Sequence, residues 1–190
     1  MLPFLSSDKP PPYDLSAFSL LVVEDSSYMQ TLFSSMLKVF GVGDIMTCES
    51  AKEAIDLLTI TQARTRSRYI NRVDIVITDW LMPNGSGEDL IKWIRNHERD
   101  SVRFLPIIVT SGYTTEYVTN KCRDLGVNET LVKPISGTSL ASRICSVIAN
   151  PRPFIQSPDY FGPDRRRKEM VFAGIEKRTQ KPKIVEVDPV

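Results

Sequence analysis

Four places in this chain put a chemically useful side chain directly after a short, mostly apolar run. Glu24 and Asp25 follow Ser19–Val23, Asp79 follows residues 73–78, Ser111 follows residues 104–110, and Lys133 follows Glu129–Val132. Runs of this length, rich in Val, Ile and Leu and broken at once by Pro, Gly or Ser, predict buried strands with those side chains at their C-terminal tips. Open α/β sheets keep their ligand sites at that edge. Any one of these residues alone reads as a strand-end turn or a solvated surface group; their agreement points to a site. Three carboxylates sharing a crevice repel one another, and a divalent cation with hard oxygen ligands relieves the repulsion. Magnesium suits such a place because it keeps several waters and takes few carboxylates. With the cation and the Lys133 ammonium neutralising oxygens, a phosphoryl group can move in line onto Asp79. The Ser111 hydroxyl can bond a phosphoryl oxygen, and Gly112 leaves the approach open.

Holding such groups together takes alternating strands and helices. Ser26 or Ser27 caps a helix whose apolar residues Met29, Leu32, Phe33, Met36, Leu37 and Phe40 recur at helical spacing, with Gly41 and Gly43 ending it. Asp44–Cys48 reads as a short strand, and Ser50 caps a second helix through Ala54, Ile55, Leu57 and Leu58. A third helix starts at Ser86 or Gly87 and carries Leu90, Ile91, Trp93 and Ile94 on one face. A fourth opens at Thr114 or Thr115 and runs to Gly126, and a fifth spans residues 136–148 before Pro151. Five strands alternating with five helices predict a doubly wound, flavodoxin-like α/β fold, a parallel sheet of order 2-1-3-4-5 covered on both faces. In that order strands one and three flank the switch point, which brings Glu24, Asp25 and Asp79 together.

Composition narrows the function classes. Lys and Arg number 24 against 23 Asp and Glu in 190 residues, a balance that argues against a general nucleic-acid or membrane-surface binder. No apolar run approaches a membrane span, and the first seven residues lack the basic start and long apolar stretch of a signal peptide, so a cytoplasmic protein is expected. Cys48, Cys122 and Cys145 are odd in number and far apart, which favours reduced thiols. His97 is the only histidine and leaves little material for histidine catalysis.

The joint placement of Glu24-Asp25, Asp79, Ser111-Gly112 and Lys133-Pro134 resembles the receiver domain of two-component response regulators, with spacing close to that of the chemotaxis receiver. The resemblance covers residues 18–149. It implies that Glu24, Asp25 and Asp79 hold Mg2+, that Trp80 adds a backbone carbonyl, and that Asp79 accepts a phosphoryl group from a histidine kinase or histidine phosphotransfer protein. Ser111 and Lys133 match the hydroxyl and amine that read the phosphate. Lys133-Pro134 matches a bond commonly cis in this family, which would aim the lysine inward. The family signals through a partner protein on the face of the fourth helix, fifth strand and fifth helix. It catalyses only its own phosphorylation and dephosphorylation, so no enzyme in the ordinary sense is expected. An aspartyl phosphatase of the dehalogenase type would need a second carboxylate two residues after the nucleophile, and Leu81 stands there.

Several features depart from that pattern. Glu24 stands where the family more often has Asp. Thr130 occupies the switch position where many receivers carry an aromatic ring, which leaves room for a competing reading as a pseudo-receiver scaffold that never turns over phosphate, although Glu24-Asp25, Asp79, Ser111 and Lys133 weigh against it. Residues 59–72, with Arg64, Arg66, Arg68 and Arg72, make the interval before the third strand longer by about three turns if helical. Ten of the 13 prolines lie in residues 1–12 or 151–189. They divide the chain into an extended arm at 1–17, a receiver at 18–150 and a basic tail at 151–190. The tail is too short and proline-broken for a helix-turn-helix or winged-helix domain, so no DNA-binding module is expected. It resembles tails on some stand-alone bacterial receivers. Its composition reads as a disordered extension. The alternative is an anion- or nucleotide-binding surface in which Arg165, Arg166 and Arg167, beside Tyr160 and Phe161, make bidentate and stacking contacts.

Overall fold

The computed structural model describes residues 13–62, 72–83, 85–112, 116–166 and 183–185. The expected positions of residues 1–12, Arg64, Arg66, Arg68, the Thr114 or Thr115 helix start and Arg167 lie outside the described residues. The elements run β1 (Ser19–Val23), α1 (Ser27–Val39), β2 (Asp44–Cys48), α2 (Ala51–Thr61), β3 (Ile75–Asp79), α3 (Gly87–Arg95), α4 (Asp100–Arg103), β4 (Ile107–Ser111), α5 (Glu116–Asp124), β5 (Glu129–Val132) and α6 (Gly137–Ala149). Three further strands follow: β6 (Phe154–Ser157), β7 (Tyr160–Pro163) and β8 (Lys183–Val185).

β1 to β5 form a parallel sheet of order β2-β1-β3-β4-β5, the doubly wound order expected. The two-residue period of a strand sends alternate side chains to opposite faces. Leu20, Val22, Ile75, Ile77 and Ile108 therefore pack with Phe33 and Leu37 of α1 and Leu140 and Ile144 of α6. Leu21, Val23, Val76, Ile107 and Val109 pack with Leu58 of α2, Leu90, Ile91 and Ile94 of α3 and Cys122 of α5. Because both faces are covered, the central strands β1, β3 and β4 are buried throughout and read as mostly apolar runs.

Four of the helices, α1, α2, α3 and α6, start after a serine. Ser26 Oγ accepts from the Met29 N–H and Ser50 Oγ from the Glu53 N–H, while Ser86 with Asp89 and Ser136 with Ser139 make reciprocal capping boxes. Beyond the five expected helices there is one extra turn, α4. It takes residues 100–103, and Pro106, which has no N–H to donate, precedes β4, so that strand begins at Ile107 rather than at residue 104. The segment read as an arm enters the core at Leu15, which is 1% exposed and whose carbonyl accepts from the Phe18 and Gly43 N–H groups.

The described part of the tail, residues 151–166 and 183–185, departs from the disordered reading. β6 and β7 form an antiparallel hairpin, and β8 pairs on the other side of β6. Pro158 sits between the two strands and Pro163 ends an edge strand, positions where proline disrupts no interior ladder. Phe154 and Phe161 lie 4.8 and 5.2 Å from the Phe104 ring, and the Arg103 guanidinium stands 3.6 Å over Phe161. Gly162 approaches Gly126 so closely that a Cβ on Gly162 would lie 2.6 Å from the Gly126 Cα. No helix among the described residues is long and apolar enough to cross a membrane.

Candidate functional site

The three acids meet at the C-terminal edge of the sheet. β1 and β3 are paired in register, so the residues just past β1 and the last residue of β3 come side by side. One carboxylate oxygen from each of Glu24, Asp25 and Asp79 lies within 4.8 Å of the others. Glu24 is 2% exposed and Asp79 is buried, while Asp25 is open to solvent. Lys133 completes the group: its Nζ stands 2.7 Å from Glu24 Oε2 and 3.1 Å from Asp79 Oδ2. The Lys133-Pro134 bond is cis, and the Lys133 N–H donates to the Ser111 carbonyl at 2.8 Å.

This clustering shifts the protonation equilibria of its members. Burial pushes the Glu24 carboxyl above its usual range; the Lys133 hydrogen bond opposes that shift and the charge on Asp79 adds to it. Burial pulls the Lys133 ammonium down, but its hydrogen bond to Glu24 and the charges of Asp79 and Glu24 outweigh this, and the net shift is upward. Buried anionic oxygens at this spacing, with an exposed carboxylate at their rim, match the hard donor set that Mg2+ takes.

Ser111 ends β4 one residue beyond Thr110, the register partner of Asp79, and is itself paired with Val132 immediately before Lys133. The sheet thus carries Ser111 and Lys133 to the same edge as the acids. Thr130 lies in β5 opposite Val109 and is half-buried. The Trp80 carbonyl, expected to offer a metal ligand, accepts from the Gly87 N–H at 3.1 Å, so a metal there would have to share that oxygen with the first turn of α3.

Two residues with no role in the site assigned from sequence, Gly87 and Gln30, shape it from behind. Gly87 packs against the β3 terminus: a Cβ there would lie 2.2 Å from the Asp79 carbonyl oxygen. Gln30 of α1 donates from Nε2 to the Glu24 carbonyl at 2.7 Å and to the Cys48 carbonyl at 3.3 Å. Neither position carries a motif; only the shortness of the loops around them hints at close packing. Arg95, away from the site, is buried on the apolar face of α3 and donates to the carbonyls of Gly126, Arg103 and Leu105 and to Asn128 Oδ1. Burial pulls its pKa down to about 9, which leaves it charged at neutral pH. Its spacing from Ile91 and Ile94 on the apolar face was the available signal.

The tail arginines stand apart from this cluster. Arg165 lies 3.9 Å over the Tyr160 ring and 3.0 Å from Asp124 Oδ1, and Arg166 Nε is 3.8 Å from Asp164 Oδ1. Both described arginines thus face carboxylates of their own chain, and Phe161 is covered by Arg103.

Comparison with known proteins adds an independent line. The response regulator receiver domain family matches residues 20–145. A chemotaxis protein CheY homolog of Campylobacter jejuni is 32% identical over 129 residues, 68% of this chain and 91% of that protein. Chemotaxis protein CheY1 of Helicobacter pylori is 33% identical over 125 residues, 66% of this chain and 92% of the relative. Among solved structures, a response regulator receiver protein from Pseudomonas putida shares 32% identity, covers 67% of this chain and 94% of its own, and superposes with a TM-score of 0.55. A receiver domain protein from Clostridium thermocellum, 24% identical with coverages of 70% and 94% and a TM-score of 0.59, shares the fold.

Proposed function

Because the chain belongs to the response regulator receiver domain family, we propose that it is a Mg2+-dependent phospho-switch in which Asp79 accepts a phosphoryl group from a histidine kinase or histidine phosphotransfer protein. The observation that carries this reading is the single ammonium of Lys133 held between Glu24 and Asp79, with Asp25 in the same group. In the transfer, an Asp79 carboxylate oxygen bonds to phosphorus as the phosphorus–nitrogen bond of the phosphohistidine breaks. The imidazole leaves with the electron pair and takes up a proton. Magnesium, when held by Glu24, Asp25 and Asp79, would neutralise the acids and the phosphoryl oxygens. Formation of the acyl phosphate removes the negative charge that Asp79 offers Lys133, so the amine turns from the carboxylate to a phosphoryl oxygen, and the Ser111 hydroxyl donates to another. Hydrolysis reverses the change when water attacks phosphorus and Asp79 departs as the carboxylate.

The phosphoryl group biases two pre-existing conformations, so the output partner must bind them with different affinity. That partner, a protein, is assigned to the α5–β5–α6 face, where Tyr117 is 67% and Val132 44% exposed. The test is phosphate transfer from acetyl phosphate and from a histidine kinase, with and without Mg2+, in wild type and Asp79→Asn. Labelling confined to the wild type with Mg2+ is expected. Label persisting in Asp79→Asn would move the acceptor elsewhere, and no label on the wild type would favour the scaffold that the non-aromatic Thr130 allows.

A further inference from the structure

The loop that carries Glu24 and Asp25 is short, and it leaves β1 where the parallel ladder ends. The Glu24 N–H still reaches the Cys48 carbonyl at 3.0 Å, which makes it the last rung between β1 and β2. Beyond that rung a different donor takes over. The Gln30 side chain, one turn into α1 and half-buried, presents a single amide nitrogen to both the Glu24 and the Cys48 carbonyls. One group therefore ties the ends of two strands and the first turns of a helix to the backbone of the acid pair. The Glu24 side chain reaches from this anchored backbone to Lys133 Nζ, and Asp25 sits on the next residue with its side chain in solvent. A hard cation discriminates by where its few protein oxygens stand, so backbone drift of this loop bears directly on affinity.

We propose that Gln30 is a positioning residue for the cation site: its amide clamps the Glu24 carbonyl so that Glu24 and Asp25 stand in register with Asp79. This deepens the function proposed above and rests on it. Gln30 Nε2 donates to the Glu24 and Cys48 carbonyls, so it acts through the backbone that bears the acids. An uncharged replacement of similar length separates geometry from electrostatics, because it removes the donor without adding charge near the site.

The test is a Mg2+ titration of the full chain followed by the emission of Trp80, next to Asp79, with the melting temperature read at each concentration. Gln30→Met is compared with wild type and with Leu37→Val, a core substitution on the same helix that lowers stability far from the acids. The Mg2+ dissociation constant of Gln30→Met is expected to rise about tenfold, the lower end of the range for groups that orient metal ligands. Leu37→Val is expected to keep the wild-type constant while melting earlier. An unchanged constant in Gln30→Met, or an equal rise in Leu37→Val, would overturn the positioning role while leaving the phospho-switch standing. A wild type with no saturable response to Mg2+ would overturn both.

Discussion

At the scale of single residues, burial pushes the Glu24 and Lys133 pKa values in opposite directions, yet the net shift of both is upward and both lose stability as pH rises. Glu24 has a folded-state pKa above its usual 4.5 because burial disfavours the carboxylate, so the stability it contributes is greatest below that value and is lost as pH rises through the raised one. Lys133, raised above 10.5, contributes stability that is fully present below that value and is lost only as pH rises through its folded-state pKa. Glu24→Gln removes the first effect and keeps Asp79 as a partner for Lys133. Without metal, the variant is therefore expected to lose less stability than wild type between pH 4.5 and neutrality, measured by urea denaturation across that window. A wild-type profile just as flat would show that ionised Glu24 carries no burial penalty. These two residues were legible in the sequence because charge at the end of an apolar run is unusual. Gln30 was not, since an amide on a helix is ordinary in type; Arg95 showed only its place on an apolar helix face, and contacts with distant backbone carbonyls give that place its meaning.

At the scale of elements, the β3–α3 junction is where the chain has least room. The Asp79 side chain accepts from the Trp80 N–H at 2.9 Å, the Trp80 carbonyl accepts from Gly87, and Gly87 itself lies against the Asp79 carbonyl. A methyl group at residue 87 must push either the α3 start or the β3 end aside, because what it meets is backbone and cannot rotate away. Gly87→Ala is accordingly expected to cost about 1–3 kcal/mol, the range for overpacking a tight site, and to slow labelling of Asp79 by acetyl phosphate. Denaturation and labelling rates on the same preparation check it, and a variant matching wild type in both would mean the junction yields freely. Strand order and helix caps could be read in advance since alternation, serine caps and terminal glycines are local signals. The α4 turn could not, because four residues make too little periodicity to register. The close approach of Gly87 was equally hidden, being fixed by a carbonyl eight residues earlier.

For the molecule as a whole, the question is whether residues 151–166 are an appendage or part of the folded unit. Proline content argued for an appendage, yet Pro151 and Pro153 precede β6, Pro158 lies in the turn and Pro163 ends β7, and the aromatic residues among them carry the packing. Phe154 is 4% exposed and meets Phe104 and Phe161, while the buried Arg95 stands 5.3 Å from its ring and donates to Gly126 and Asn128 in the loop leading to β5. Arg152 ties the same region, donating to the Asn128 carbonyl and to the Asp164 carbonyl. Ending the chain at residue 150 would bare Phe104, Arg103 and the Arg95 pocket together. Removing one ring is the cleaner measurement. Phe154→Ala is expected to destabilise by about 3 kcal/mol, the low end for a buried phenylalanine in a site that can partly collapse. At about 2–4 °C per kcal/mol for a chain of this size, that is a fall of roughly 6–12 °C in melting temperature. The chain ended at residue 150 should fall at least as far, because it loses Phe161 and the Arg152 bonds as well. If both melt with the wild type, the hairpin rests on the receiver without supporting it, and the compact unit ends at α6 as proline placement alone suggested.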